Sequence, residues 1–540
     1  MSKIYDYILV GSGVAGTTIA KGILEHNNDA SVLILEAGPE IPAKDRRSWW
    51  DYITLGKTPY AFTYDTQEQA PGNLGSDVGT TINFDSRGVR VKAYGGSTMH
   101  WGAWALRFKP EDFHLYTNTG KGADWPITYN DLERYYCHAE KYMSVCGDDS
   151  EKWEPRSEKY PMPPFQWTAA DGVMIKAFRK LGIKPGKMPV ARYRKCFTTG
   201  TCKYCPFGSR FNAQYVLDDL KHNPKYVNFK VVVNHVVTNV NTSTKNKVDS
   251  VDVTDNKTGK KYTLQAKTFI ICSGAYETPK LLMKSKNEHW KNGVGNDHDH
   301  LGRYLISHSM LKVRGSYPTN KERWFQEYDF PTLMSRSWDT KDHQDVGKLF
   351  LFKNRVLPNM DIAQYMIDGN TPDQVEALLS GPMELEIQAF MEEKGHWENR
   401  LKIVEGKFDA FGLPLMEIHF ARNDEEVANS YIRLAEMQKI IEEMGYRVVT
   451  ATVDDPGGHH TTGTCRMAKT AKEGVTDGNL KVFDIDNLYL CSNGVFPTGS
   501  AVNPTLTLTA LSMRLADHLN GKPYEVHHHH HKAEESSLTA

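Results

Sequence analysis

The chain has 540 residues, with 65 Lys+Arg against 66 Asp+Glu and a formal net charge of −1. That length exceeds a single hydrophobic core, so two or three domains are expected. The charge balance gives no electrostatic footing for nucleic acid or an anionic membrane surface. No apolar run approaches the ~20 residues of a membrane helix, and eight cysteines in so long a chain do not make a disulfide scaffold. The first apolar run begins within a few residues of Met1, so no signal peptide is expected.

Tyr7 to Val10 is long enough for a buried strand. Gly11, Gly13 and Gly16 follow at G-x-G-x-x-G spacing, and Thr17 to Glu25 reads as a helix. Ser31 to Leu35 is a second buried strand, closed by Glu36 twenty residues after Gly16. This is a complete βαβ unit for a dinucleotide. Gly11 permits the tight turn, Gly13 lets the backbone approach a pyrophosphate, and Gly16 lets helix and strand pack closely. The helix N-terminus offers unpaired N–H groups to phosphate, and Glu36 accepts from a ribose diol.

The stretch after Gly38 is rich in aromatics and shows little periodicity. Lys92 to Gly102 carries a glycine pair, Gly95 and Gly96, followed by Ser97 and Thr98. Asp124 to Thr128 caps a helix expected over Tyr129 to Cys146, and proline-rich sequence from Pro155 to Pro164 marks a domain crossing. Strands are expected at Lys230 to Val233, Val236 to Val240 and Thr263 to Ile271, the last leading to a helix that opens at Thr278-Pro279. From about 311 to 455, strands (Leu385 to Phe390, Arg400 to Val404, Met416 to Phe420) precede a long helix, Asp424 to Met444. That alternation suits an antiparallel sheet in a second domain. Leu488 to Cys491 is a buried strand, Asn493-Gly494 begins a turn, and Thr507 to Leu519 is a final helix. The five histidines from His527 read as a tag or a metal-binding tract in a disordered tail, 526–540.

Three sets of residues invite chemistry. Cys196, Cys202 and Cys205 lie within ten residues, with a proline after the last, which resembles an iron–sulfur loop. Zinc would need a fourth ligand, and plain structural thiols remain an alternative. Arg192, Arg194, Lys195, Lys203 and Arg210 make the loop basic. His459 and His460 follow a flexible Asp-Asp-Pro-Gly-Gly run and read as a metal site, a surface pair or a catalytic pair. Trp49, Trp50, Trp101 and Trp104 are candidates for stacking on sugar C–H faces, or are ordinary core.

The order of these features resembles the glucose–methanol–choline (GMC) flavin oxidoreductases: the βαβ unit, Gly-Gly-Ser-Thr-Met-His-Trp near 100, Asp-Trp-Pro-Ile-Thr-Tyr, Ser-Gly-Ala-Tyr-Glu-Thr-Pro near 275, His-His-Thr-Thr-Gly-Thr near 460 and Asn-Pro-Thr-Leu-Thr at 503–507. Bacterial sugar dehydrogenase large subunits and pyranose oxidases look most alike. The resemblance implies an α/β fold with a discontinuous, Rossmann-like FAD-binding domain (1–110, 200–310 and 455–525). It also implies a substrate domain and cap (111–199 and 311–454) with a mainly antiparallel sheet backed by helices. It implies FAD held by Gly11, Gly13, Gly16, Glu36, Gly95, Gly96, Ser97, Thr98, His100, Val237, Asn493 and Gly494, with His100 aligned to a histidine that pyranose oxidases bond to the flavin.

Alcohol oxidation by hydride transfer needs a base titrating near working pH, which favours histidine. The motif assigns the base to His460 and the orienting partner to Asn503. Electrons would pass to a three-iron cluster on Cys196, Cys202 and Cys205, although the spacing C-x5-C-x2-C departs from the C-x5-C-x3-C of the relatives. The expected function is oxidation of a pyranose or glycoside hydroxyl at C1, C2 or C3. The alternatives are a pyranose-oxidase-like enzyme using O₂ and a non-catalytic flavoprotein. A small partner subunit carrying an export signal to the periplasm and a cytochrome-type acceptor are expected partners, without nucleic acid.

Overall fold

The computed structural model describes residues 3–42, 45–55, 57, 59, 69–86, 88–192, 196, 204, 205, 207–317, 328, 330–354, 362–379, 382 and 384–521. The strand Ile4–Val10 pairs in parallel with Val32–Leu35 on one side and with Lys261–Ile271 on the other. Phe229–Val232 extends the sheet beyond Val32–Leu35, and Leu488–Leu490 joins Lys261–Ile271, both in parallel. The eleven-residue strand Lys261–Ile271 changes character along its length. Its buried end pairs with Ile4–Val10, while its exposed half makes an antiparallel pair with Ser250–Asp255, which in turn pairs with His235–Asn241. The seven-stranded sheet thus draws on three separated stretches of chain. On it lie Val14–His26 and Thr505–Asn520, which pack on each other so closely that a Cβ on Gly22 would stand 2.6 Å from the Ala516 methyl.

A six-stranded sheet runs Arg447–Asp454, Ser309–Ser316, Glu384–Met391, Leu349–Asn354, Leu333–Ser335 and Gly186–Lys187, each neighbour antiparallel. Side chains alternate across a strand. Leu311, Val313, Leu349, Leu351, Leu385 and Ile387 therefore meet Leu434, Met437, Ile440 and Ile441 of the helix Asp424–Glu443. Phe350, Phe352 and Phe390 point to the opposite face and join the core of the first sheet. That second face forms part of the surroundings of the site. Among the described residues no helix is long and apolar enough to cross a membrane.

Four local expectations are corrected. Arg400–Phe408 and Pro414–His419 form their own hairpin, joined by Gln69–Asn73, rather than entering the sheet with Glu384–Met391. The stretch after Gly38 contains a helix, Arg46–Leu55, whose Trp49 and Tyr52 pack against Ile41, Val91, Ala93, Met99 and Tyr204. The helix from Tyr129 stops at Met143, because Ser144 turns left-handed (φ 52°) and Val145–Cys146 pairs with Val190–Ala191. Its start has the expected cap, a reciprocal pair between Thr128 and Asp131. The helix at 275 begins at Gly274 and carries Pro279 inside it. Proline has no N–H to return to Ala275, and Thr464 Oγ1 donates to that carbonyl at 2.5 Å.

Candidate active site

The first βαβ unit, the loop near 100, the stretch near 275 and the two C-terminal motifs meet around one cavity of about 490 Å³. Gly11 (φ +105°) turns where a Cβ would stand 2.7 Å from the Cys272 carbonyl, and a Cβ on Gly16 would stand 2.1 Å from the Gly11 carbonyl. A Cβ on Gly13 would meet nothing within 4 Å. The helix Val14–His26 that starts there has no side-chain cap, so its first N–H groups are left for a ligand. Glu36 is buried; its Oε2 accepts from Ser12 N (3.0 Å) and Ser12 Oγ (2.6 Å), and its Oε1 from Gly38 N (2.9 Å). Burial raises the Glu36 pKa against these donors. Ser12 Oγ also accepts from Gly95 N at 3.1 Å, which joins the first turn to the loop near 100.

Of the FAD candidates, Gly11, Gly13, Glu36, Ser97, Thr98, His100, Val237 and Asn493 line the cavity. Gly16, Gly95, Gly96 and Gly494 stand behind its wall; a Cβ on Gly96 would stand 2.8 Å from Gly13 Cα, and one on Gly494 2.8 Å from Thr464 Oγ1. The Thr98 hydroxyl donates to Gly95 O (2.6 Å) and accepts from Ala213 N (3.0 Å), so it serves the loop itself. Arg90 and Lys92 also line the cavity, beside Glu277 at 3.6 and 3.8 Å. The uncapped helix end, the open space at Gly13 and the buried, unpartnered Asn493 Oδ1 fit FAD, which these residues would hold.

At the other end His460 and Asn503 come together, with Asn503 Nδ2 donating to His460 Nε2 at 3.1 Å. Asn503 Oδ1 is buried and unpartnered. His460 Nδ1 lies 3.0 Å from Nδ1 of His308, whose Nε2 reaches the carbonyls of Ser500 (3.0 Å) and Gly499 (3.3 Å). Phe390 stacks on His308 and stands edge-on to His460, with ring centroids 5.4 and 4.9 Å away. Burial holds the His460 pKa well below the ordinary imidazole value, helped by His308 and His459 nearby. Burial likewise lowers His308, to about 4. His459 lines the same cavity.

The four tryptophans separate. Trp101 and Trp104 line the cavity, Trp104 edge-on to Phe352 at 4.7 Å. Trp49 belongs to the small cluster under Val91, and Trp50 is exposed. In the cysteine loop Cys196 and Cys205 are half-buried, while Cys202 lies outside the described residues. Among the described residues no group of three or more His, Cys, Asp or Glu side chains gathers as a metal site. The basic loop is also corrected. Arg192 and Arg210 are interior: Arg192 lies over the Phe330 ring, and Arg210 donates to Trp101 O at 2.7 Å and Met99 O at 2.5 Å. Arg194, Lys195 and Lys203 lie outside the described residues.

Sequence reasoning missed His308, Ser12, Phe390, Arg90 and Lys92. His308 heads the strand Ser309–Ser316 with no local motif chemistry, and only its spatial meeting with His460 reveals it.

The family profile described as GMC oxidoreductase matches residues 5–310 and 398–512. The chain is 25% identical to the fructose dehydrogenase large subunit of Gluconobacter japonicus, over 95% of this chain and 97% of that one. It is 24% identical to a C-glycoside 3-oxidase of Microbacterium trichothecenolyticum, over 95% and 96%. Its fold matches the crystal structure of pyridoxine 4-oxidase from Mesorbium loti with a TM-score of 0.66 at 17% identity, covering 97% of this chain and 100% of that one. The arrangement of the cavity and the two profile matches together place this chain in the GMC oxidoreductase family, as an FAD-dependent oxidoreductase acting on CH–OH donors.

Proposed function

We propose that this protein oxidises a ring hydroxyl of a pyranose sugar or glycoside, at C1, C2 or C3, and passes the electrons to an external acceptor. The observation that carries the reading is the His460–Asn503 pair, 3.1 Å apart on the wall of the cavity. FAD, when bound, supplies the hydride acceptor. His460 Nε2 takes the hydroxyl proton, and Asn503 orients the oxygen. A base must be neutral to act, and burial keeps His460 neutral at pH 7. Trp101, Trp104 and Phe390 give the surroundings an apolar, aromatic character suited to the C–H face of a sugar. The sugar and glycoside named in the two relatives above support the same substrate class. The test is anaerobic bleaching of the flavin by a panel of sugars and glycosides. Bleaching by none of them, with simple alcohols active instead, would sink it.

The electron route is the finer part of the proposal. A cluster of three irons on Cys196, Cys202 and Cys205 would relay electrons singly to a cytochrome. The loop leads into Arg210, Phe211 and Asn212, which hold the cavity wall: Trp101 Nε1 donates to Phe211 O at 2.9 Å, and Asn212 Oδ1 accepts from Gln214 N. Anaerobic protein with about three irons per FAD and an iron–sulfur resonance supports the relay; full FAD, no iron and rapid peroxide formation in air favour the oxidase. A small partner subunit, with export to the periplasm in its company, is proposed on the name of the fructose dehydrogenase large subunit. Co-purification from the native host tests it. Acid precipitation decides attachment at His100: a yellow pellet means a covalent bond.

A further inference from the structure

The base is neutral, yet a neutral imidazole has two tautomers, and only the one with a bare Nε2 can take a proton from substrate. The neighbours of His308 settle which is present. His308 Nε2 faces two carbonyl oxygens, of Ser500 and Gly499, and carbonyls only accept. The His308 proton therefore sits on Nε2, and its Nδ1 is bare. His460 Nδ1, 3.0 Å from that bare nitrogen, must donate to it. His460 Nε2 is left as an acceptor, consistent with the N–H it receives from Asn503.

The carbonyl at the root of this chain is held in an unusual way. Ser500 has φ +53°, a left-handed conformation that residues with a Cβ rarely adopt. It is fully buried, and its Oγ donates to Asp112 Oδ2 at 2.8 Å. Asp112 Oδ2 also accepts from Lys109 N at 2.6 Å, and the Asp112 carbonyl accepts from Thr498 Oγ1 at 3.0 Å. Asp112 Oδ1 is paired with Lys348 Nζ, which pairs in turn with Asp339 Oδ1 at 2.8 Å; all three side chains have no exposure. Arg336 Nε closes the cluster on Asp339 Oδ2 at 2.6 Å. Removing one partner of a buried pair leaves an uncompensated charge, so such a cluster has few alternative arrangements. Asp112 comes from the turn Pro110–Phe113 and Lys348 from the start of the strand Leu349–Asn354. The sequence places both far from His460.

We propose that Asp112 and Lys348 are positioning residues for the base: their buried ion pair holds Ser500 in its left-handed conformation, so that the Ser500 carbonyl fixes the tautomer of His308 and, through it, of His460. This rests on the reading of His460 as base. The relay passes no proton onward, because it ends on a carbonyl. The charged and titratable groups around it are His459 beside His460, Asp339 behind His308, and Asp112 with Lys348 beyond Ser500.

Two substitutions at one position isolate the link. Ser500→Ala deletes the Oγ bond and keeps a Cβ in a left-handed backbone; Ser500→Gly deletes the bond and removes the strain. In FAD-loaded enzyme, Ser500→Ala is expected to lower the rate of sugar-dependent flavin reduction about 10–100-fold, the cost of misplacing a reacting group by a fraction of an ångström to an ångström. Ser500→Gly retains most of that rate. The acid fall of the rate moves to lower pH in Ser500→Ala, because the His460 Nδ1–H loses a fixed acceptor that favours the imidazolium. If Ser500→Ala does not accumulate, Asp112→Asn, which keeps the shape and deletes the charge, is expected to show the same loss and the same pH shift. His308→Asn restores an acceptor near the Nδ1 position and should exceed His308→Leu in rate. Finally, ¹⁵N-histidine spectra of the holoenzyme, assigned with His460→Ala, should place the His460 proton on Nδ1 in wild type and on both nitrogens in Ser500→Ala. This last readout needs no substrate, so a failure of the sugar reading leaves it intact. A His460 proton on Nε2 in wild type, or wild-type rates and pH profiles in Ser500→Ala or Asp112→Asn, overturns the proposal.

Discussion

The proposed role of His460 as base rests on what surrounds its two nitrogens. Burial, then His308, then His459 depress its pKa, so the charged form is disfavoured in the folded protein. The sign for catalysis follows: the base is competent above its folded pKa and lost as pH falls through it. The rate of flavin reduction is therefore expected to be level from pH 7 upward and to fall only on the acid side, below the ordinary imidazole value of about 6.5. Stopped-flow reduction with a saturating sugar across pH 4.5–9 checks it, and a midpoint at or above 7 would refute the buried neutral base. His460→Ala is expected to cost about 10²–10⁴-fold in that rate with FAD content unchanged, the usual contribution of a general base. Asn503→Ala should cost less, since its proposed role is to orient the oxygen and not to take the proton. His459, also in the cavity, is the residue to replace next if His460→Ala reduces flavin normally.

Elements were legible in the sequence where local chemistry decides them. The βαβ unit reads directly, because buried strands, a helix between them and glycines at fixed spacing each leave a local mark; the strands expected at Tyr7 to Val10 and Ser31 to Leu35 are Ile4–Val10 and Val32–Leu35. Sheet membership was not legible, because an alternating strand does not state its partner. Arg400–Phe408 and Glu384–Met391 look alike in sequence and pair in different sheets. The helix Arg46–Leu55 was missed because its buried face is made of aromatics among charges, and His308 because its partner lies 152 residues away. Two of the legible glycines now predict opposite failures. A Cβ at Gly16 would stand 2.1 Å from a backbone carbonyl, so Gly16→Ala must force helix and strand apart, at about 1–3 kcal/mol or more. Gly13→Ala meets nothing within 4 Å, so the fold should melt normally while FAD binding weakens. Melting curves of apoprotein and FAD titrations separate the two. A third element-level expectation concerns the join between motifs. Pro279 leaves Ala275 without its usual helical N–H, and Thr464 Oγ1 donates to that carbonyl. Thr464→Val keeps the shape and loses the donor, and should destabilise by about 1–3 kcal/mol. An unchanged denaturation midpoint would show the carbonyl satisfied otherwise.

At the scale of the whole molecule, His308 stands where the parts meet. It heads the strand Ser309–Ser316 of the six-stranded sheet, stacks on Phe390 of the next strand, bonds the C-terminal segment through Ser500 and touches His460. Burial lowers its pKa to about 4, against the opposing pull of the Gly499 and Ser500 carbonyls and Asp339. An unfolded histidine takes its proton near pH 6.5. Between that value and about 4 the unfolded chain binds a proton that the folded chain refuses, so folding stability is lost as pH falls through this window and is level above it. The loss attributable to this one side chain reaches about 3 kcal/mol once pH is below the folded pKa, and about 2–3 kcal/mol at pH 4.5. His308→Asn has no proton to gain and should lose that much less stability than wild type between pH 7 and pH 4.5, whatever its offset at pH 7. Urea unfolding of both proteins at the two pH values gives the difference; titrations of groups that do not touch His308 cancel, and the same comparison in a His460→Ala background removes the titration of its neighbour His460. A parallel pH dependence in the two proteins would mean that His308 is protonated in the folded state, against its burial and the His460 N–H that faces its Nδ1.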